Sequence, residues 1–228
     1  MTLGSPTRKA LVTVAAGQRG RELLAVSRPL MERYAARVGA DFLVLDWPGH
    51  PDWPMSCKYA IATVLEHYDR LAYVDADVIL PPGCVDLFAA CPEGAFGAVD
   101  ELPWHLRHPR HGILRHYRAF RQAHGFPDLP EPPYYLNCGV FVASKHHAPW
   151  LLPPRYALEV HNLSEQHHTN AALLASGAWV YPLPEICNHQ HWTDHNFRNA
   201  PPDAVLHLSG MAHAPRLALM RRLAGLWQ

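Results

Sequence analysis

The chain has 228 residues, 49% hydrophobic and 18% charged, which supplies enough apolar material for a folded core and excludes general disorder. Twenty basic and twenty acidic side chains give a formal net charge of +0, so no global charge marks a nucleic-acid binder, and no nucleic-acid partner is expected. The length fits one domain over residues 1–228 and is too short for two well-buried cores.

The five cysteines are scattered, odd in number and without a CxxC pair, which argues against a zinc cage or a disulfide framework. A reducing, cytoplasmic setting is the simpler expectation. The apolar run Ala10 to Ala16 stops at Gly17-Gln18-Arg19-Gly20, well short of a membrane span. It reads as a buried first strand.

In chain order, Leu11 to Ala16 is β-branched at its centre and suits an interior parallel strand. Residues 21–38 carry Leu23, Leu24, Leu30, Met31, Tyr34 and Val38 at helical spacing, with a kink or restart expected near Arg28 because of Pro29. Phe42 to Leu45 reads as a second strand and is followed by a Pro-rich loop. Residues 56–69 read as a helix with Ala60, Ile61, Val64, Leu65 and Tyr68 inward, and Leu71 to Val74 as a third strand. This alternation predicts an α/β fold, a mostly parallel sheet covered by helices on both faces.

The second half is less regular. Strands are predicted at Phe96–Val99, Tyr134–Val142 (bent near Gly139), Trp179–Leu183 and Val205–Leu208. Helices are predicted over residues 112–124, from Glu165 to Ala175 and over 215–226, with an extended loop from Phe126 to Pro133.

The most informative stretch is Tyr73-Val74-Asp75-Ala76-Asp77-Val78-Ile79-Leu80-Pro81. Two carboxylates separated by one small residue end an apolar strand, the place where open α/β sheets bind ligands. Their mutual repulsion calls for compensation. Carboxylate oxygens suit Mg²⁺ or Mn²⁺, with phosphate oxygens and water completing the shell. The plainer reading is a turn with two solvated aspartates.

Asp75-Ala76-Asp77 after Tyr73-Val74 resembles the D-x-D motif of nucleotide-sugar glycosyltransferases with the GT-A fold. More narrowly, the chain resembles glycosyltransferase family 8, the glycogenin-like and lipopolysaccharide galactosyltransferase-like enzymes. Tyr135-Leu136-Asn137-Cys138-Gly139-Val140-Phe141 is similar to the family's F-N-x-G-V segment. Glu165-Gln166 with Asn170-Ala171 is similar to D-Q-x-x-x-N-A, and His207-Leu208-Ser209-Gly210-Met211-Ala212-His213 to H-x-x-G-x-x-K.

The resemblance implies a GT-A fold whose nucleotide-binding part covers about residues 8–100 and whose acceptor side and C-terminal part cover about 101–228. It implies a retaining, metal-dependent transfer of a sugar from a UDP-sugar donor to a saccharide, glycolipid or other hydroxyl acceptor. His207 becomes the third metal ligand beside Asp75 and Asp77, and its imidazole favours Mn²⁺ over Mg²⁺. Asp100, Glu165 and Gln166 fall on the sugar-binding and catalytic positions. Thr13, Ala15, Lys58, Asp75, Asn137 and Gly210 fall on the donor-binding positions. His213 stands where the family has a diphosphate-binding lysine, with Arg216 as the second candidate. Glu165 replaces the family's aspartate. These departures leave a catalytically impaired, GT-A-like sugar- or nucleotide-binding protein as the alternative, and a metal-dependent nucleotidyltransferase or phosphohydrolase as a third class.

His105, His108, His111 and His116 lie among Arg107, Arg110, Arg115 and Arg118, either as a basic groove for an anionic acceptor or as a wet cover over the site. The tract Asn188-His189-Gln190-His191-Trp192 is a candidate wall of the acceptor pocket, and Trp104 and Trp192 are candidate platforms for sugar faces. Adjacent on a helix, His167 and His168 make a poor chelating pair. The last helix, with Leu219, Leu223 and Leu226 on one face and Arg216, Arg221, Arg222 and Trp227 beside them, either seals the domain or gives a weak peripheral hold on an anionic membrane.

Overall fold

The computed structural model describes residues 7–45, 54–108, 110, 112–126, 128–154 and 163–227, so the Pro-rich stretch after the second strand and His111 lie outside the described residues. Strand β1 (Lys9–Val14) leads into helix α1 (Gly17–Val38) and strand β2 (Asp41–Leu45). A 3-10 segment, Pro54–Ala60, precedes helix α2 (Ile61–Val64) and strand β3 (Arg70–Val74). Then follow β4 (Val78–Ile79), α3 (Leu87–Ala90), β5 (Phe96–Asp100), α4 (Leu102–Arg107) and α5 (Ile113–Ala123). The chain continues through β6 (Leu136–Ser144), α6 (Ser164–Ser176), β7 (Val180–Leu183), β8 (His189–Gln190), β9 (Leu206–His207) and α7 (His213–Ala224).

The larger sheet has six strands in the order β2-β1-β3-β6-β5-β7. β1 runs parallel to β2 and β3, and β5 parallel to β7, while β6 is antiparallel to both its neighbours. Pleating sends alternate residues to opposite faces. Leu11, Ala72 and Val74 therefore join α1 and α7 in one core, while Val12, Leu71 and Tyr73 join Ile61, Leu65 and Leu173 in the other. Both faces are covered by helices, as the apolar runs predict.

Helix α1 continues through Pro29 and does not restart there. Pro29 frees the carbonyl of Ala25 from its helical partner, and both residues are exposed, so solvent reaches that carbonyl. The segment expected as one helix over 56–69 is mostly 3-10, with a single α turn. In 3-10 winding, positions three apart eclipse each other, which aligns Lys58 with Ile61; the side chains of both are buried.

Of a second, three-stranded sheet, β4-β9-β8, only β9 falls within a predicted strand, Val205–Leu208. The sheet's strands have two residues each, too short for any periodicity. It nevertheless sets the site, because β4 continues from the Asp75-Ala76-Asp77 turn and pairs Val78 with His207.

Helix α7 buries Leu219, Met220 and Leu223 in the same core as α1, and Trp227 packs against that core with its carbonyl accepting from Arg33 Nη1 at 3.0 Å. Only Leu226 of the proposed surface-binding face stands out, 68% exposed. The apolar face thus seals the fold and is not presented to a membrane. Among the described residues no helix is long and apolar enough to cross one.

Candidate metal and donor site

Strand β3 ends at Val74, and the next peptide is held by Asp75 N donating to Gly139 O at 2.8 Å. Val78 N closes the turn on Asp75 O at 3.0 Å, and Ser27 Oγ of α1 donates to Ala76 O at 2.8 Å. This clamps a two-carboxylate turn from both sides. Leu208 N donates to Asp77 O at 3.2 Å and brings the end of β9 alongside.

One ligand atom from each of Asp75, Asp77 and His207 lies within 4.8 Å of the others, the one such group found among the described residues. His207 Nε2 stands 3.8 Å from Asp75 Oδ2 and 3.5 Å from Asp77 Oδ1. The strand-end carboxylates and the distant histidine, separated by more than half the chain, therefore meet as the sequence predicts.

The hydrogen bonds around His207 determine which nitrogen carries its proton. Gly139 N can only donate, and it does so to Asn137 Oδ1 at 2.8 Å; Asn137 Nδ2 donates at 2.9 Å to the Glu101 carboxylate. Both ends of the Asn137 amide are thereby assigned. Asn188 Nδ2 donates to the same Asn137 oxygen at 2.9 Å, which leaves Asn188 Oδ1 facing His207 Nδ1 at 2.9 Å. Nδ1 must therefore be an N–H, which leaves Nε2, facing the two carboxylates, as the nitrogen that can ligate. With Nε2 deprotonated, three lone-pair donors share one buried space and call for a cation among them. The residues fit a divalent ion.

Gly139 is required by this closeness. A Cβ there would overlap His207 Cε1 and stand 2.9 Å from Asp75 Oδ2. Strand β6 is continuous, but its pairing with β5 shifts register between Phe141 and Leu136, so the irregularity expected near Gly139 is present, and the glycine serves close approach.

Cations already surround the carboxylates. Lys58 Nζ lies 3.1 Å from Asp75 Oδ1 and 3.5 Å from Glu165 Oε1, and Tyr73 Oη donates to Asp75 Oδ1 at 2.5 Å. Burial by itself lowers the Lys58 ammonium, but Asp75 and Glu165 overcome it and hold its pKa above the usual lysine value. Burial pushes the Glu165 carboxyl above its usual range against the pull of Lys58, and Glu165 Oε2 is buried without a hydrogen-bond partner. Arg216 Nη1 sits 2.9 Å from Asp77 Oδ2. Burial raises the Asp77 carboxyl, but positive charge at His207, together with Arg216, brings it well below the usual carboxylate range. A divalent ion supplies that same charge with His207 neutral.

The other predicted positions are distributed unevenly. Asn137 lies beside the cluster, as described. Gln166 Oε1 accepts from Cys138 N at 3.0 Å, and the Asn170 amide pairs with both backbone groups of Leu136, so α6 is laced to β6 next to the acids. Asp100 Oδ1 accepts from Leu102 N at 2.9 Å and from Tyr135 N at 2.8 Å, which caps the entry to α4. Thr13 and Ala15 are buried at the end of β1, with Thr13 Oγ1 unpartnered. Gly210 takes a φ of +75° beside Trp192. His213 Nε2 is 2.7 Å from Glu22 Oε2, so of the two candidates for the diphosphate-binding cation, Arg216 is the one against the carboxylates.

The sequence reading missed Glu101. Its carboxylate accepts from Asn137 and, in a short contact, from Gln190 Nε2. Gln190 Oε1 in turn accepts from Trp192 Nε1 at 2.5 Å and from Ser209 Oγ at 2.8 Å. The one available signal was a second acid directly after Asp100 at a strand end. Asn188, read as a pocket wall, instead orients His207.

No protein-family model matches the chain, and no curated protein does. Solved structures do. A glycosyltransferase involved in glycosylation of the major capsid of PBCV-1 is 14% identical, with a TM-score of 0.64 over 94% of this chain and 99% of that one. Galactosyltransferase LgtC, solved with donor and acceptor sugar analogs, is 17% identical, with a TM-score of 0.54 over 96% of each chain. The bifunctional glycosyltransferase WbbM is 12% identical, with a TM-score of 0.59 over all of this chain and 53% of its own. At such identities the likeness carries the fold alone. The fold is that of the GT-A glycosyltransferases, here with an acidic and histidine cluster fit for a divalent metal.

Proposed function

We propose that this chain is a metal-dependent glycosyltransferase, a family 8 enzyme that moves a hexosyl group from a UDP-sugar to a hydroxyl acceptor with retention. The observation that carries the reading is the convergence of Asp75, Asp77 and a tautomer-fixed His207 at the end of β3. Residues 1–228 then act as one catalytic domain, with five free, buried thiols supporting a reducing compartment.

Asp75, Asp77 and His207 would hold the ion, and the mixed nitrogen and oxygen donor set favours Mn²⁺ over Mg²⁺. When bound, the metal supplies Lewis-acid stabilisation of the charge that develops on the leaving diphosphate. Arg216 adds a fixed positive charge beside that position, and His213, paired with Glu22, is the second candidate for the diphosphate. Thr13 and Ala15, at the end of β1, form the floor for the base and ribose, and Gly210 lets backbone approach the diphosphate. Lys58 pairs with Asp75 and stands between it and Glu165. Asp100 and Asn137 meet the sugar hydroxyls, and Gln166 lies under the anomeric centre. In a retaining reaction on one face, a donor phosphate oxygen takes the acceptor proton, so no side chain is required as base. Glu165 is held by Lys58 in a buried ion pair, which supports a positioning role over a nucleophilic one.

Release of nucleotide from a panel of UDP-, GDP- and dTDP-sugars in the presence of Mn²⁺ tests the proposal. UDP release that depends on Asp77 is expected. Tight nucleotide binding with no turnover on any donor would favour the impaired, binding-only alternative.

A further inference from the structure

A cavity of about 280 Å³ opens between α4 and the start of α5, and its lining includes His105, His108, Arg115 and Arg118. No carboxylate is among its described lining residues. The chain as a whole is electrically balanced, so this local excess of nitrogen bases stands out.

Three observations give the cavity a sign. Helix α5 begins at Gly112, whose φ of +70° supplies an N-cap without a capping side chain, and no acidic residue occupies the first turn. The positive end of the helix is therefore unbalanced from within the helix. His105 is 7% exposed, and its Nδ1 has no hydrogen-bond partner, while its Nε2 stands 3.5 Å from Glu101 Oε2. Arg115 is exposed, with Nη2 folded back over Gly112, whereas the neighbouring Arg118 is engaged by Glu131 at 3.0 Å.

The cavity also has features of a sugar site. Leu106 is 61% exposed and, with Ile113 and Leu114, offers an apolar wall to the C–H face of a pyranose. Trp104 packs edge-on against Trp192 at 4.1 Å and stacks on His108 at 4.1 Å. Glu101 connects the two regions: it meets His105 on the cavity side and Asn137 on the metal side.

We infer that this cavity is an acceptor subsite that recognises an anionic sugar, through a carboxylate or phosphate held by Arg115, His108, His105 and the α5 N-terminus. Its role as an acceptor site rests on the transferase reading above; its preference for an anionic sugar does not. An oxyanion there meets planar donors suited to two-point binding, with the ring against Leu106.

The test uses the full chain at pH 6.5, with Trp fluorescence following titrations of glucuronic acid, glucose 6-phosphate, glucose and inorganic phosphate. Both anionic sugars are expected to bind at least about tenfold more tightly than glucose, and the variant carrying Arg115→Gln and His108→Gln to erase that difference. The order of the two anionic sugars distinguishes a carboxylate from a phosphate preference. Equal binding of glucose, an unchanged variant, or inorganic phosphate binding as tightly as glucose 6-phosphate overturns the inference. A parallel titration with UDP and Mn²⁺ reads the donor site separately. Its failure, with anionic-sugar binding intact, would remove the transferase reading and leave the anionic-sugar preference standing.

Discussion

His207 Nδ1 donates to Asn188 Oδ1 at 2.9 Å, and that bond commits Nε2 to the pair of aspartates. The commitment originates in a backbone group, Gly139 N, which orients Asn137 and through it Asn188. Asn188→Leu should leave the fold intact but weaken Mn²⁺ binding by about 10- to 100-fold, the usual cost of losing a partner behind a metal-binding histidine. ¹⁵N NMR of the His207 ring checks the cause: the neutral ring should be the Nδ1–H tautomer in wild type and a mixture of tautomers in the variant.

Gly139→Ala tests the same closeness by steric means. The new methyl would overlap the His207 ring and press on Asp75, so stability should fall by about 1–3 kcal/mol and Mn²⁺ binding should be lost. Chemical denaturation with an unchanged m-value, measured beside a metal titration, reads both effects.

Lys58 is buried with two carboxylates, Asp75 and Glu165. Lys58→Met should destabilise the fold by about 3–5 kcal/mol, because it strands buried negative charge. Adding Glu165→Gln should restore part of the loss, and a double-mutant cycle measures the coupling. Strict additivity of the two changes would show that the pair does not act as a unit.

Much of this site was legible in the sequence because its groups sit at the ends of strands that announce themselves. Tyr73-Val74 before Asp75 and Asp77, and Val205-Leu206 before His207, are apolar runs that stop at a ligand. Of the sheet β4-β9-β8 only β9 was legible, within Val205–Leu208; β4 and β8, of two residues each, carry no period. Glu101 was not legible either, for its role exists only because β6 and β8 bring Asn137 and Gln190 to it. The helix restart expected at Pro29 does not occur: α1 runs unbroken from Gly17 to Val38, with Pro29 and Ala25 on its exposed side.

Burial holds the His147 and His168 imidazoles down to about 4, below the ordinary 6.5. Between those values the unfolded chain binds protons that the folded chain refuses. The stability these rings contribute is therefore complete above about pH 6.5 and is lost as the pH falls toward 4. Thermal unfolding should show a melting temperature that declines across this window. His147→Gln combined with His168→Gln should give a shallower decline, whatever its effect at pH 7.5.

The most direct measurement is a calorimetric titration of UDP with and without Mn²⁺, on wild type and on Asp77→Asn and His207→Gln, with unfolding curves to confirm that each variant is folded. Wild type should bind UDP at least about tenfold more tightly with Mn²⁺, and each variant should lose that increment while keeping its weak metal-free binding. UDP affinity that is indifferent to Mn²⁺ in wild type, or an increment that survives in both variants, would contradict a donor site built on Asp75, Asp77 and His207.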